Sequence, residues 1–172
     1  MYIEMVVGGL TIDPLTNSPV LILRDLQGNR TLPIWIGVLE ATSIATVLEK
    51  IDVGRPMTHD LLKTIVHHLD ATITRVEICD LRDNTYYAYL HLDRHGRDIQ
   101  IDSRPSDAIA IALRTGAPIF VAEEVLEKSR RDVAIEEDEK SEGVNVASTS
   151  DKEKLKEILE ELEPEDFGKY KM

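Results

Sequence analysis

The chain has 172 residues, 42% of them hydrophobic and 30% charged, which allows one well-buried core and excludes wholesale disorder. With 32 acids against 20 bases the net charge is −12, which opposes simple electrostatic capture of nucleic acid, because neutralising phosphates needs clustered Lys and Arg. No apolar run approaches the roughly 18–20 residues of a membrane span, Met1-Tyr2-Ile3-Glu4-Met5 lacks the pattern of a signal peptide, and the lone Cys79 has no internal disulfide partner, so the expected address is cytoplasmic.

Alternating apolar residues predict strands over residues 4–12, 19–25 and 30–36, the last two joined through Gly28-Asn29, a hairpin-turn pair. A helix rich in Ala, Leu and Glu follows over 39–51, and a second starts near Thr58, read as its N-cap, and runs to 69. Strands over 72–80, 85–93 and 98–102 come next, with Cys79 read as a buried strand thiol and His95-Gly96 as a turn. The third helix covers 105–115: Pro105 suits its first turn, Gly116 its C′ position, and Pro118 blocks continuation. The fold class is α+β, a mixed or antiparallel sheet with helices.

After Val125 the pattern degrades. The expected partition is a domain over 1–128, an acidic, flexible linker over 129–150 and an amphipathic tail over 151–172 striped by Leu155, Ile158, Leu159 and Leu162. That stripe, with the doubly apolar strand Val20–Leu23, points to a homo-oligomer. A shift of 67 residues superposes Leu23 on Leu90, Arg30 on Arg97, Glu40 on Asp107, Ala41 on Ala108 and Ala45 on Ala112 without a gap. We read this as internal duplication of a strand–hairpin–helix unit, with Glu40 and Asp107 at matching helix starts.

No phosphate-binding glycine loop, dinucleotide fingerprint, paired Cys or His-Glu-x-x-His is present. Two polar clusters stand out, Arg55-Pro-Met-Thr-His-Asp60 and Asp102-Ser-Arg-Pro-Ser-Asp107, each at the loop entering a helix. Free N–H groups and the helix dipole favour anions there. Leu32-Pro-Ile-Trp-Ile-Gly37 with Glu40-Ala41, Arg55-Pro-Met-Thr-His-Asp-Leu-Leu62, Asp83-Asn-Thr-Tyr-Tyr-Ala88, Ile101-Asp-Ser-Arg-Pro-Ser-Asp-Ala-Ile109 and Gly116-Ala-Pro-Ile-Phe-Val121 resemble, in order, the signatures of the bifunctional nuclease family. The resemblance implies a mixed α+β fold and, for some members, degradation of RNA and DNA.

Phosphodiester cleavage needs an activated water, stabilised charge on the transition state and a protonated leaving oxygen. The candidate catalytic residues are Glu40, His59, Asp60, Asp102 and Asp107, with Arg55 and Arg104 to hold phosphate. Glu40, Asp102 and Asp107 are also the candidate ligands for Mg²⁺ or Mn²⁺, hard cations that take oxygen donors. For the acids the alternative is helix capping and dipole compensation, and for the arginines structural ion pairs. Trp35, in an apolar strand, reads as core or dimer packing rather than a base-stacking platform. The rival of a different class is a non-catalytic binding or assembly module; a binder of small anions fits the same residues.

Overall fold

The computed structural model describes residues 1–130. Strands β1 (Tyr2–Ile12), β2 (Pro19–Asp25) and β3 (Thr31–Trp35) lead into helices α1 (Val38–Leu48) and α2 (Thr58–His68). Strands β4 (Thr72–Arg82), β5 (Thr85–Arg94) and β6 (Arg97–Ser103), helix α3 (Pro105–Thr115) and strand β7 (Ile119–Ala122) complete the order. A helix over residues 123–130, α4, follows directly. The seven strands form one mixed sheet in the order β3-β2-β1-β7-β4-β5-β6, so the α+β fold expected from the alternation is the observed one.

Two antiparallel meanders make the halves of this sheet, and β7 joins them, antiparallel to β1 and parallel to β4. The sequence predicts no strand there, because four residues behind Pro118 give alternation nothing to work on. Displaced by 67 residues, the bounds of α1 become those of α3. The turns differ, however: β2 and β3 are separated by five residues and β5 and β6 by two. Shared element order does not by itself show duplication.

One apolar cluster runs through both halves, from Met5, Leu21, Leu23 and Leu32 to Val76, Ile78, Leu90, Ile109, Val121 and Val125. The doubly apolar β2 therefore spends its side chains inside its own chain, between β1 and β3, and lends no support to an oligomer. Helix α3 packs on β4 and β5 and on α1 and α2, burying Ala108, Ile109, Ala110, Ile111 and Ala112. Helix α2 buries no residue. Full burial of a Leu or Ile is worth about 1.5–3 kcal/mol, so apolar packing fixes α3 firmly and α2 weakly. Polar links from His59 and Asp60 must do more of the holding in α2.

Several boundaries depart from expectation. Helix α1 stops at Leu48 because Lys50 turns left-handed (φ 54°), with Ile51 N–H bonded to Thr46 O and Lys50 N–H to Val47 O, the paired bonds of a Schellman stop. Asp70 (φ 53°) ends α2 the same way. The N-cap of α2 is Met57 rather than Thr58, because the Asp60 carboxylate reaches back to accept the Met57 N–H at 3.0 Å. The chain past Val125 stays helical to 130, with Val125, Leu126 and Ser129 buried. The rest of the predicted linker and the tail helix lie outside the described residues. Cys79 is half-buried, and burial pushes its thiol up. No helix among the described residues is long and apolar enough to cross a membrane.

Candidate functional site

Glu40, Asp60 and Asp107 each occupy the third position of their helix, where an acid commonly bonds the N-cap backbone. Asp60 alone of the three makes that bond among the described residues. Glu40 and Asp107 leave their N-cap N–H groups unbonded among the described residues, and their carboxylates converge instead on one guanidinium. Arg104, the residue that opens α3, donates from Nη2 to Glu40 Oε1 at 2.9 Å and from Nε to Asp107 Oδ2 at 2.7 Å. The first turns of α1 and α3 are thereby tied together through one side chain.

Close approach explains a glycine here. A Cβ at Gly37, the N-cap of α1, would collide with the Glu40 carboxylate, so glycine at 37 leaves Glu40 free to fold back toward Arg104. The network continues inward. Asp107 Oδ1 lies 3.0 Å from His59 Nε2, and His59 Nδ1 lies 2.8 Å from the Ser43 hydroxyl. Ser43 is buried on α1, so Ser43, His59 and Asp107 join α1, α2 and α3. Burial pushes the Asp107 carboxyl up, but hydrogen bonds from Arg104 and then His59 prevail and hold it below its ordinary value of 3.8.

The outer face of this cluster is open. Arg104 is 67% exposed, its Nη1 has no partner among the described residues, and beside it lies a 240 Å³ recess lined by Trp35, Gly37, Glu40, Tyr86, Arg104 and Ser106. Trp35 is no core residue: it is 48% exposed, and its indole N–H donates to Asp13 Oδ2 at 3.1 Å. That strand position alternates with the buried Ile34 and so faces outward.

The other candidates lie elsewhere. Asp60 binds Arg114 Nε at 2.7 Å, and the Arg114 side chain is 4% exposed. Asp102 is exposed on β6, opposite Tyr89 in the ladder, and its carboxylate has no hydrogen bond or ion pair among the described residues. Arg55 lines a separate pocket shared with Asp60 and Arg114. Thus Glu40, His59, Arg104 and Asp107 are brought together, while Arg55, Asp60 and Asp102 stand apart. Sequence reasoning does not single out Ser43 or Arg114; each lies in an apolar stretch whose periodicity says only that it faces inward.

The proposed metal ligands do not fit a shared ion. Arg104 already bridges the carboxylates of Glu40 and Asp107. Among the described residues no three His, Cys, Asp or Glu stand together as a metal-binding group.

A family model described as the bifunctional nuclease domain matches residues 21–134, a span that holds every residue of the cluster. An uncharacterized protein of Mycobacterium tuberculosis is 41% identical over 164 residues, 95% of this chain and 97% of its own length. Bifunctional nuclease 2 of Oryza sativa subsp. japonica is 29% identical over 117 residues, 66% of this chain and 36% of its own. Bifunctional nuclease 1 of Arabidopsis thaliana is 27% identical over 107 residues, 60% of this chain and 33% of its own. The chain thus spans about a third of each of these plant proteins.

Proposed function

Because this chain belongs to the bifunctional nuclease domain family, we propose that it hydrolyses phosphodiester bonds of RNA and DNA at the Glu40–Arg104–Asp107–His59 cluster. The single observation that supports this most is the exposed Arg104, held between two carboxylates at the mouth of the recess. A phosphate there would meet the free Nη1 of Arg104 and the unpaired N–H groups of two helix N-termini. Glu40 would take the proton of an attacking water as its oxygen bonds to phosphorus. The P–O ester bond breaks, and the departing oxygen receives a proton from the His59–Asp107 pair. Arg104 would offset the charge that builds on the phosphoryl oxygens.

Purified protein is incubated with end-labelled single-stranded RNA and DNA, with and without EDTA. Arg104→Ala and Glu40→Gln are expected to lower cleavage by roughly 10²–10³, while Asp102→Ala leaves it unchanged. Undiminished cleavage by Arg104→Ala overturns the assignment, and loss of cleavage with EDTA restores a metal to the reaction.

One observation favours a second reading, a non-catalytic binding or assembly module. Two carboxylates already neutralise Arg104, so the cluster is an ion-pair network that locks two helix entries together without attracting phosphate. In this reading a homo-oligomer forms through α2, where Leu61, Leu62, Ile65 and Leu69 are exposed. It predicts no turnover above a mock purification and a molar mass above that of one chain in light scattering.

A further inference from the structure

We propose a second site: a pocket between α1 and α2 that binds the phosphoryl group of a nucleotide, free or within a strand, whether or not the Arg104 cluster cleaves. The cavity measures about 660 Å³ and is lined by residues from the end of α1, the loop 51–56, one side of α2 and Arg114 of α3. That volume lies within the roughly 300–1,000 Å³ of small-molecule sites.

Charge selects an anion. The lining contains Lys50, Arg55, Lys63 and Arg114 against Asp52 and Asp60, a positive excess inside a chain whose net charge is −12. Arg114 and Asp60 cancel each other through their 2.7 Å bond. Asp52 is turned toward its own loop, accepting the Gly54 N–H at 2.9 Å. Lys50, Arg55 and Lys63 remain, all exposed and none in an ion pair among the described residues. Three unpaired cations around one concavity form an electrostatic focus that the total charge conceals. At Arg104 the balance is the reverse, one cation to two carboxylates.

The backbone aims one of these cations. Lys50 occupies the left-handed residue that closes α1, so its side chain leaves the helix end at the pocket rim instead of following the helix side. Val47, Ile51, Val53 and Pro56 give the same pocket an apolar wall, while no aromatic ring among the described residues lines it. Cationic groups beside an aliphatic wall suit a phosphate carried on an organic body of nucleotide size, not a stacked run of bases.

The test uses the full chain and isothermal titration calorimetry at low salt, with AMP, inorganic phosphate and a labelled oligothymidylate as probes. The variants are Arg55→Ala/Lys63→Ala, Lys50→Ala, and Arg94→Ala as an exposed cation outside the pocket. AMP is expected to bind more tightly than inorganic phosphate. The double variant should weaken AMP by about tenfold or more, Lys50→Ala by less, and Arg94→Ala not at all. If the pocket serves a strand, the double variant also flattens the salt dependence of oligonucleotide binding, by up to about 0.7 in slope for each phosphate no longer neutralised; if it serves free nucleotide, only AMP binding changes. Equal AMP affinity in wild type and double variant, or no AMP binding by wild type, overturns the proposal. Arg104→Ala distinguishes the sites: it should lower cleavage by the factor given above while leaving AMP affinity intact. All variants are checked for folding by circular dichroism, and Arg114 is left untouched because its removal strands Asp60.

Discussion

Consecutive residues of α2, His59 and Asp60, belong to two different polar regions, and the contrast between those regions is instructive. His59 reaches Asp107 and Ser43, and through them a cluster in which each charge has a partner. Asp60 reaches Arg114 at the edge of a pocket whose remaining cations have none among the described residues. A helix turns 100° per residue, so neighbours in sequence face different surroundings. The motif Arg55-Pro-Met-Thr-His-Asp60 therefore serves two places. The paired region is built for fixed geometry and the unpaired one for attraction.

The largest effect that sharpens this comparison is expected from Arg114→Ala. Loss of a side chain that is 4% exposed and bonded to Asp60 and to Ala110 O should cost about 3 kcal/mol in urea denaturation. A cost near zero would mean that α2 is held by other means. His59→Ala should come next, at about 2 kcal/mol, because it cuts both the Asp107 and Ser43 links. Ser43→Ala, which removes one bond, should cost about 1 kcal/mol, and equal losses for these two variants would break the picture of a serial chain.

Asp107→Asn probes the same chain through pH. The Asp107 carboxyl titrates below its ordinary value of 3.8 in the folded protein. Its contribution is fully present above that ordinary value and is lost as pH falls through the lower, folded value. The stability gap between wild type and Asp107→Asn should hold steady at neutral pH and shrink on acidification below 3.8, as read from denaturation midpoints. A gap that grows on acidification would reverse the assignment. The smallest effect belongs to Asp102→Ala, which should stay within about 0.5 kcal/mol of wild type, since Asp102 is exposed and its carboxylate unbonded among the described residues.

Much of the fold was legible because its strands alternate cleanly and α3 carries both Pro105 and Gly116. The end of α1 was not, because Lys50 takes the left-handed position that glycine ordinarily marks; that of α2 was read to within one residue, although Asp70 takes the same position. At the site, the matching helix-start positions of Glu40 and Asp107 were legible, but their meeting at Arg104 was not, because convergence depends on how α1 and α3 pack. The separation of Arg55 from Arg104 was invisible, since it depends on which way the loop 51–56 packs over α2. Trp35 misled because an apolar strand says which residues alternate, not which face is covered.

Strand β7 has a consequence for the making of the protein. It supplies the pairing that joins β1 to β4, yet it is among the last elements of the sheet to be synthesised. On a ribosome adding ~5–20 residues per second, β1 waits roughly 5 to 20 seconds for its second neighbour. During that interval β1, joined by β4 once it has been made, is an edge with unsatisfied backbone groups, open to pairing with another chain. The nascent protein is therefore most vulnerable to aggregation just before Ile119–Ala122 emerges, and a premature stop ahead of that strand would prolong the hazard indefinitely.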